Sequence, residues 1–344
     1  MKEALLYSKQ EEQQVRCHLC AHRCLIAPGR KGVCLVRENR EGVLYSLVYG
    51  RPISQAVDPI EKKPLFHVYP GSTSFSIATM GCNFRCTYCQ NADISQMPRT
   101  QRAISIPYVS PEEVVRAAQQ AGCRSIAYTY TEPTIFFEYS YDIARLAHAE
   151  GLANVYVTNG YMTGEMLDMF QGVDHSHEPW LDAANVDLKA FRDETYRTVC
   201  GARLQPVLDT LKRMKQLGIW VEVTTLVVPQ LNDSADELRD MAQFIATELG
   251  VETPWHVSRF HPSYEMRDRG STPPETLRRA HNLGREAGLR YVYVGNLPEG
   301  HLEDTLCPAC GRTVIGRWGF YVTERQIHEG RCAHCGASLD GIGL

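Results

Sequence analysis

The sequence predicts an α/β protein with a parallel-sheet core and a small cysteine-rich segment at each end. Three observations carry that prediction. Between residues 74 and 302, short apolar runs alternate with amphipathic helical patterns. The 13 cysteines gather in tight local groups rather than spreading along the chain. The composition, 44% hydrophobic and 22% charged over 344 residues, is that of a globular chain long enough for one large domain with appendages.

The strand candidates, in order, are Ser74–Thr79, Ser125–Thr129, Ala153–Thr158, Ala184–Leu188, Trp220–Val228, Trp255–Phe260 and Arg290–Val294. Each is short, apolar and bounded mostly by Gly, Pro, Asn or Asp. Ser110-Pro111-Glu112-Glu113 supplies an N-cap, a first-turn proline and early acids, and Gly122 closes that helix. The stretches Pro133–Gly151, Leu204–Gly218, Ser234–Gly250 and Pro274–Gly288 repeat the form. Such alternation fits an open doubly wound sheet or a full or partial barrel, and periodicity does not separate them. In either, ligands belong at the carboxyl ends of the strands. Ahead of the core, Val43–Ile53 alternates weakly and suits a hairpin or an edge strand.

Net charge is −4, from 36 Lys+Arg against 40 Asp+Glu, which gives no electrostatic pull toward nucleic acid. No apolar run approaches the ~20 residues of a membrane helix. Met1–Arg16 is too polar for the apolar core of a secretion signal, so the expectation is a soluble cytoplasmic protein.

Four cysteines lie within residues 17–34, three within 82–89 and four within 307–335, with Cys123 and Cys200 alone. An odd count in a long chain without a visible secretion signal argues against a disulfide scaffold. Short gaps let thiolates converge on a metal without a long loop closure. Cys82-x3-Cys86-x2-Cys89 directly follows the first core strand. Three thiolates can hold three irons of a cubane and leave the fourth iron for a small molecule. A zinc site or unligated thiols would also satisfy the spacing.

The segment Met80-Gly81-Cys82-Asn83-Phe84-Arg85-Cys86-Thr87-Tyr88-Cys89 resembles the signature of the radical S-adenosylmethionine (SAM) superfamily, with Tyr88 as the aromatic residue before the last cysteine. The core further resembles pyruvate formate-lyase activating enzymes. The whole chain, with its flanking cysteine sets and the segments Tyr128–Phe137 and Trp255–Met266, resembles the AmmeMemoRadiSam-system radical SAM enzymes. That resemblance implies a partial (β/α)6 TIM-like barrel and a [4Fe–4S] cluster. It also implies reductive cleavage of SAM to a 5′-deoxyadenosyl radical that abstracts hydrogen from a substrate. Three segments then follow: a cysteine-rich metal-binding segment over 1–72, the core over 73–302, and a tetracysteine ribbon over 303–344.

The resemblance also implies SAM contacts. Tyr130-Thr131-Glu132 stands where the family commonly has Gly-Gly-Glu, so both glycines are replaced. Thr131 and Glu132 would meet the SAM ammonium, although a first-turn helix acid also suits Glu132. Asn159, before the turn residue Gly160, would hold a ribose hydroxyl. Asp187 and Lys189 share one side of the fourth strand, where Lys189 would neutralise the SAM carboxylate; a surface ion pair is the plainer reading. Arg259 suits a carboxylate through forked donation, and His261 matches a SAM-contacting histidine. His256 divides evenly between a structural and a functional reading. Cys200 is a candidate hydrogen donor or substrate contact, set against a buried inert thiol. Cys123 has no supporting motif.

Cys307-x2-Cys310-x21-Cys332-x2-Cys335 signals a closed tetrathiolate ribbon, zinc before iron, of the zinc-ribbon or rubredoxin-like kind. Cys17-x2-Cys20-x3-Cys24-x9-Cys34 would bind zinc or an iron–sulfur cluster serving as an electron relay. Expected partners are a reducing flavodoxin or ferredoxin and, through the resemblance, AMMECR- and Memo-type proteins. One version of the expected activity is an activase for a glycyl-radical enzyme. The competing class is a non-catalytic electron-transfer or zinc-scaffold protein.

Overall fold

The computed structural model describes residues 1–100, 105–171, 179–297 and 301–344. Its centre is an eight-stranded sheet whose strands are β1 (Pro52–Pro59), β2 (Thr73–Thr79), β3 (Ser125–Tyr128), β4 (Ala153–Thr158), β5 (Ala183–Asp187), β6 (Trp220–Val227), β7 (Trp255–Arg259) and β8 (Val292–Gly295). All seven expected core strands are present within a residue or two of the sequence reading. Each lies beside its predecessor, parallel from β2 to β8, and β1 pairs antiparallel with β2. A doubly wound sheet reverses its strand order at a switch point. This order never reverses, so the sheet is singly wound.

The central sheet begins at Pro52, and its edge strand lies in the segment 1–72, for which the sequence reading expected edge strands. The weakly alternating stretch 43–53 divides: Val43–Ser46 forms a hairpin with Arg37–Arg40, and Pro52 opens the edge strand. Between the strands run α1 (Pro111–Gln120), α2 (Phe137–Ala149), α3 (Gln205–Gln216), α4 (Ala235–Phe244) and α5 (Pro274–Glu286). Ser110 and Glu113 close a capping box on α1, whose Val114, Val115 and Ala118 enter the core. Pro133 starts a tight turn of 3₁₀ helix that leads into α2.

The N-terminal segment folds as two small antiparallel sheets, one of Tyr7–Lys9, Val15–Cys17 and Leu25–Ile26, the other of Lys2–Glu3, Val43–Ser46 and Arg37–Arg40. It docks at the carboxyl ends of β2 and β4. Cys20 bridges Met162, and the Thr163 hydroxyl donates to the His18 carbonyl at 2.8 Å. Arg37 and Glu138 of α2 form a buried ion pair at 2.8 Å. Removing one partner would strand the other charge at a cost on the order of 3–5 kcal/mol.

The C-terminal ribbon packs at the opposite end. Glu222, on the amino-terminal half of β6, accepts from the backbone N–H groups of Phe66 and His67 and from His256 Nε2 at 2.6 Å. A chain of donors continues from Arg317 Nη1 to Thr305 Oγ1, to Tyr293 Oη and to His67 Nε2; His67 Nδ1 meets the Asp340 carbonyl at 2.6 Å. Because a carbonyl only accepts, His67 carries a proton on Nδ1, and burial, which lowers its pKa to about 4, keeps the ring neutral at pH 7. His256 is thus a structural histidine in a buried polar layer, stacked on Tyr293 and far along the strand from its carboxyl end.

Candidate metal centre

Strand β2 ends at Thr79, and the next turn carries the three cysteines. Gly81 makes the turn with φ +101°; a Cβ there would sit 2.8 Å from Val36 and 3.3 Å from the Cys34 carbonyl. The Phe84 N–H points at Cys82 Sγ from 3.3 Å, and Ser95 Oγ lies 3.3 Å from Cys89 Sγ. Burial, the Glu132 carboxylate and the neighbouring cysteines push the Cys82 thiol well above its ordinary pKa. A thiol so placed gives up its proton when a metal takes it, so loading releases protons.

Cys200 is drawn into this centre by a turn of π helix, Tyr196–Cys200. The backbone N–H groups of Arg85 and Thr87 donate to the carbonyls of Cys200 and Val199 at 3.0 and 3.2 Å, which locks the two loops together. Gly201 then turns with φ +71°, where a Cβ would meet Arg85 Nε at 2.6 Å. The Cys200 thiol is buried close to Cys86 and Tyr88. Its pKa is lowered by the neighbouring Cys86 thiol, against burial, and by the charge of Lys189.

The strand ends around the cysteines hold the other expected residues. Lys189 Nζ pairs with Asp187 at 2.9 Å, and its backbone is fixed by Tyr196 Oη and Asn232. Burial works against the ammonium, but Asp187 and then the thiols Cys86 and Cys200 outweigh it and raise its pKa. Glu132 is buried and crosses from β3 to β4: Oε1 accepts from the Thr134 and Thr158 hydroxyls at 2.5 and 2.7 Å and from the Thr134 N–H, and Oε2 accepts from the Asn159 N–H at 2.8 Å. It is also the N-cap of the 3₁₀ turn, so the helix-start reading of Glu132 holds in part. Burial raises its pKa.

Thr131 Oγ1 donates to the Thr79 carbonyl, and Asn159 Nδ2 donates to Asn83 Oδ1, both at 2.8 Å. Asn159 thus braces the cysteine loop. Gly160 turns with φ +70° and packs where a Cβ would lie 2.8 Å from Val186. Beyond β7, Ser263 Oγ reaches the carbonyls of Tyr88 and Cys89, and the Glu265 N–H donates to the Thr87 carbonyl, so the loop after β7 lies over the cysteine turn. Arg259 Nε donates to the Thr272 carbonyl at 2.9 Å, while exposed His261 meets Ser271 Oγ at 3.1 Å.

Sequence reasoning missed several members. Tyr130, with φ +62°, keeps a backbone shape that favours glycine. Its hydroxyl is held by Asp58, which also takes Lys62, Lys63 and Ser76. Among the described residues, Asn83 Nδ2 and Thr79 Oγ1 are buried without a hydrogen-bond partner, and they belong to the carboxyl end of β2 and the turn after it. Native interiors rarely leave such groups unpaired.

The flanking sets differ in spread. Cys307 and Cys335 lie 3.6 Å apart and Cys310 and Cys332 lie 3.9 Å apart, and all four sulfurs are within 4.8 Å of one another. A tetrahedral ion with ~2.3 Å metal–sulfur bonds sets its thiolates about 3.8 Å apart. The ribbon is therefore sized for a single ion. Cys17, Cys20, Cys24 and Cys34 line one cavity together with Arg37 and Ile135.

Comparison with known proteins adds the following. The model of the Radical SAM superfamily matches residues 76–245. An uncharacterised protein of Methanocaldococcus jannaschii is 47% identical over 344 residues, covering 99% of each chain. The pyruvate formate-lyase-activating enzyme of Clostridium pasteurianum is 24% identical over 198 residues, 55% of this chain and 80% of that one. The crystal structure of a radical SAM methyltransferase from Sphaerobacter thermophilus superposes with a TM-score of 0.50 at 16% identity, covering 71% of each chain, a likeness of fold.

Proposed function

We propose, on the premise that this chain belongs to the radical SAM superfamily, that it cleaves SAM reductively at a [4Fe–4S] cluster held by Cys82, Cys86 and Cys89 and abstracts hydrogen from a substrate. The observation that carries the proposal is the company those thiols keep. Three cysteines, two unpaired buried donors and the Asp187–Lys189 pair occupy the same end of one parallel sheet. Asn83 Nδ2 and Thr79 Oγ1 are donors without acceptors, as suits a site built for cluster sulfide and ligand oxygen. The singly wound strand order supports a partial barrel.

When bound, the cluster and SAM supply an electron and a sulfonium bond, whose cleavage gives methionine and a 5′-deoxyadenosyl radical. The chain's part is to bind, orient and exclude water. Lys189, held charged by Asp187, would neutralise the SAM carboxylate. Glu132 accepts three hydrogen bonds at Oε1 and one at Oε2, which leaves Oε2 an acceptor position for the ammonium. Thr131 would lie with Glu132 at the ammonium and Asn159 would hold a ribose hydroxyl, with Arg259 and His261 closing the rim and Tyr88 packing the cysteine turn. Cys200, beside Cys86 and Tyr88, stands where it would meet the substrate or return a hydrogen atom. A flavodoxin or ferredoxin would supply the electron, and zinc would fill the C-terminal ribbon. A purely electron-transferring or scaffold protein has no use for an open three-cysteine turn that carries an unpaired Asn83 amide.

The test is anaerobic. The protein is reconstituted with iron and sulfide, reduced with dithionite and given SAM, and 5′-deoxyadenosine is measured by chromatography. Product is expected, and Cys86→Ala should abolish it. No product from the fully loaded protein, beside a working control enzyme, would sink the proposal.

A further inference from the structure

We infer that Cys17, Cys20, Cys24 and Cys34 hold a second iron–sulfur cluster, closed by four thiolates, which hands single electrons to the site at Cys82, Cys86 and Cys89. The relay half of this rests on the function proposed above; the cluster half does not.

Size is the first argument. The C-terminal four show what a single-ion site looks like here, with all sulfurs inside 4.8 Å. Among the described residues no other group of three or more potential ligands closes that far, the N-terminal four included. The Cys82 triad does not close that far either. A wider set that still faces one cavity suits a polynuclear centre, whose thiolates bind different irons at the corners of a cube.

Arg37 is the second. It lines that cavity at 2% exposure, and its Nη1 and Nη2 are committed to Glu138 and the Leu5 carbonyl, while Nε has no partner. A buried guanidinium N–H left over beside four thiols fits an anionic group with sulfur acceptors. It would donate to the cluster and offset the negative charge that four thiolates bring.

Position is the third. The Cys34 carbonyl approaches the Gly81 turn so closely that a Cβ would be 3.3 Å from it, and Cys82 is the next residue. His22 Nε2 contacts the Asn83 carbonyl at 2.8 Å, and Ile135 lies both on the cysteine cavity and beside Gly81. The two cysteine sites thus share a wall. The C-terminal ribbon is instead anchored through Arg317 and Asp340 at the amino-terminal end of the sheet. In the transfer, a reduced ferredoxin or flavodoxin loses one electron, the N-terminal cluster gains and passes it on, and the radical site is reduced by one. No atoms move.

A variant carrying Cys82→Ala, Cys86→Ala and Cys89→Ala, reconstituted anaerobically, decides the cluster. It should retain about four irons and about four acid-labile sulfides per chain, with a low-temperature EPR signal on reduction. Zinc at this set with no sulfide would overturn the inference. For the relay, a Cys20→Ala, Cys24→Ala variant is assayed with dithionite and with reduced flavodoxin. Cleavage of SAM should survive with dithionite and fall to background with flavodoxin. Equal flavodoxin-driven rates in variant and parent would overturn the relay. Failure of the parent with both reductants would overturn the relay and the proposed function together, leaving the sulfide result to stand on its own.

Discussion

Lys189 keeps its charge where burial opposes it, because Asp187 and the thiols of Cys86 and Cys200 hold it there. A charge-assisted hydrogen bond contributes about 1.5–3 kcal/mol, so Lys189→Met should weaken SAM binding by about tenfold or more. Equilibrium binding to the reconstituted protein measures this. Iron and sulfide content should not change, and unaltered affinity would remove Lys189 from the ligand set. The Asp187-Leu188-Lys189 placement was legible because side chains alternate along a strand. Tyr130 was not. A left-handed φ at a non-glycine costs roughly 1–2 kcal/mol, and what steadies it, the bond to Asp58, comes from the neighbouring edge strand. No local pattern records such a partner. Arg37 and Glu138 were hidden for the same reason: each reads as a surface charge until the fold buries both.

At the scale of elements, the core strands and helix starts were readable from apolar runs, caps and closing glycines. Strand order was not, since periodicity says which residues face a layer and not which strand lies beside which. The polar residues on strands were the hardest case. Glu222 and His256 sit in apolar runs and face inward, and whether such residues serve a ligand or a seal depends on which end of the sheet they occupy. Here they seal the amino-terminal end together with His67. Burial lowers the His67 pKa to about 4. In the unfolded chain the ring takes a proton near pH 6.5, so between these values the unfolded state binds more protons. The contribution of His67 is then complete above pH 6.5 and declines as pH falls toward 4, to a total of about 3 kcal/mol. Denaturant unfolding across that range should show the decline in the parent and a flatter profile in His67→Asn. Identical slopes would refute it.

For the molecule as a whole, the sheet separates the four-cysteine ribbon from the two cysteine sets at its other end. The ribbon at residues 303–344 gathers four thiols at single-ion distances and docks through buried Arg317, Phe66 and Tyr293. Its small core of Cys307, Val314 and Cys332 is too slight to hold without metal. Chelation of that ion should release the ribbon and lower the melting temperature, while SAM binding at the other end of the sheet stays as it was. Limited proteolysis with and without chelator, followed by SAM binding to the intact core, checks both halves. Loss of SAM binding on chelation would mean that the two ends are coupled.

The close fit of Cys34 against Gly81 also has a consequence in time. During synthesis, Cys17 to Cys34 leave the ribosome first, but the surfaces that enclose them, Gly81, Asn83, Ile135, Met162 and Thr163, come later. Until the fourth core strand has emerged, those four thiols are loose, reactive and exposed to any metal or oxidant in reach. If these thiols hold the inferred cluster, its filling therefore waits on chain not yet translated.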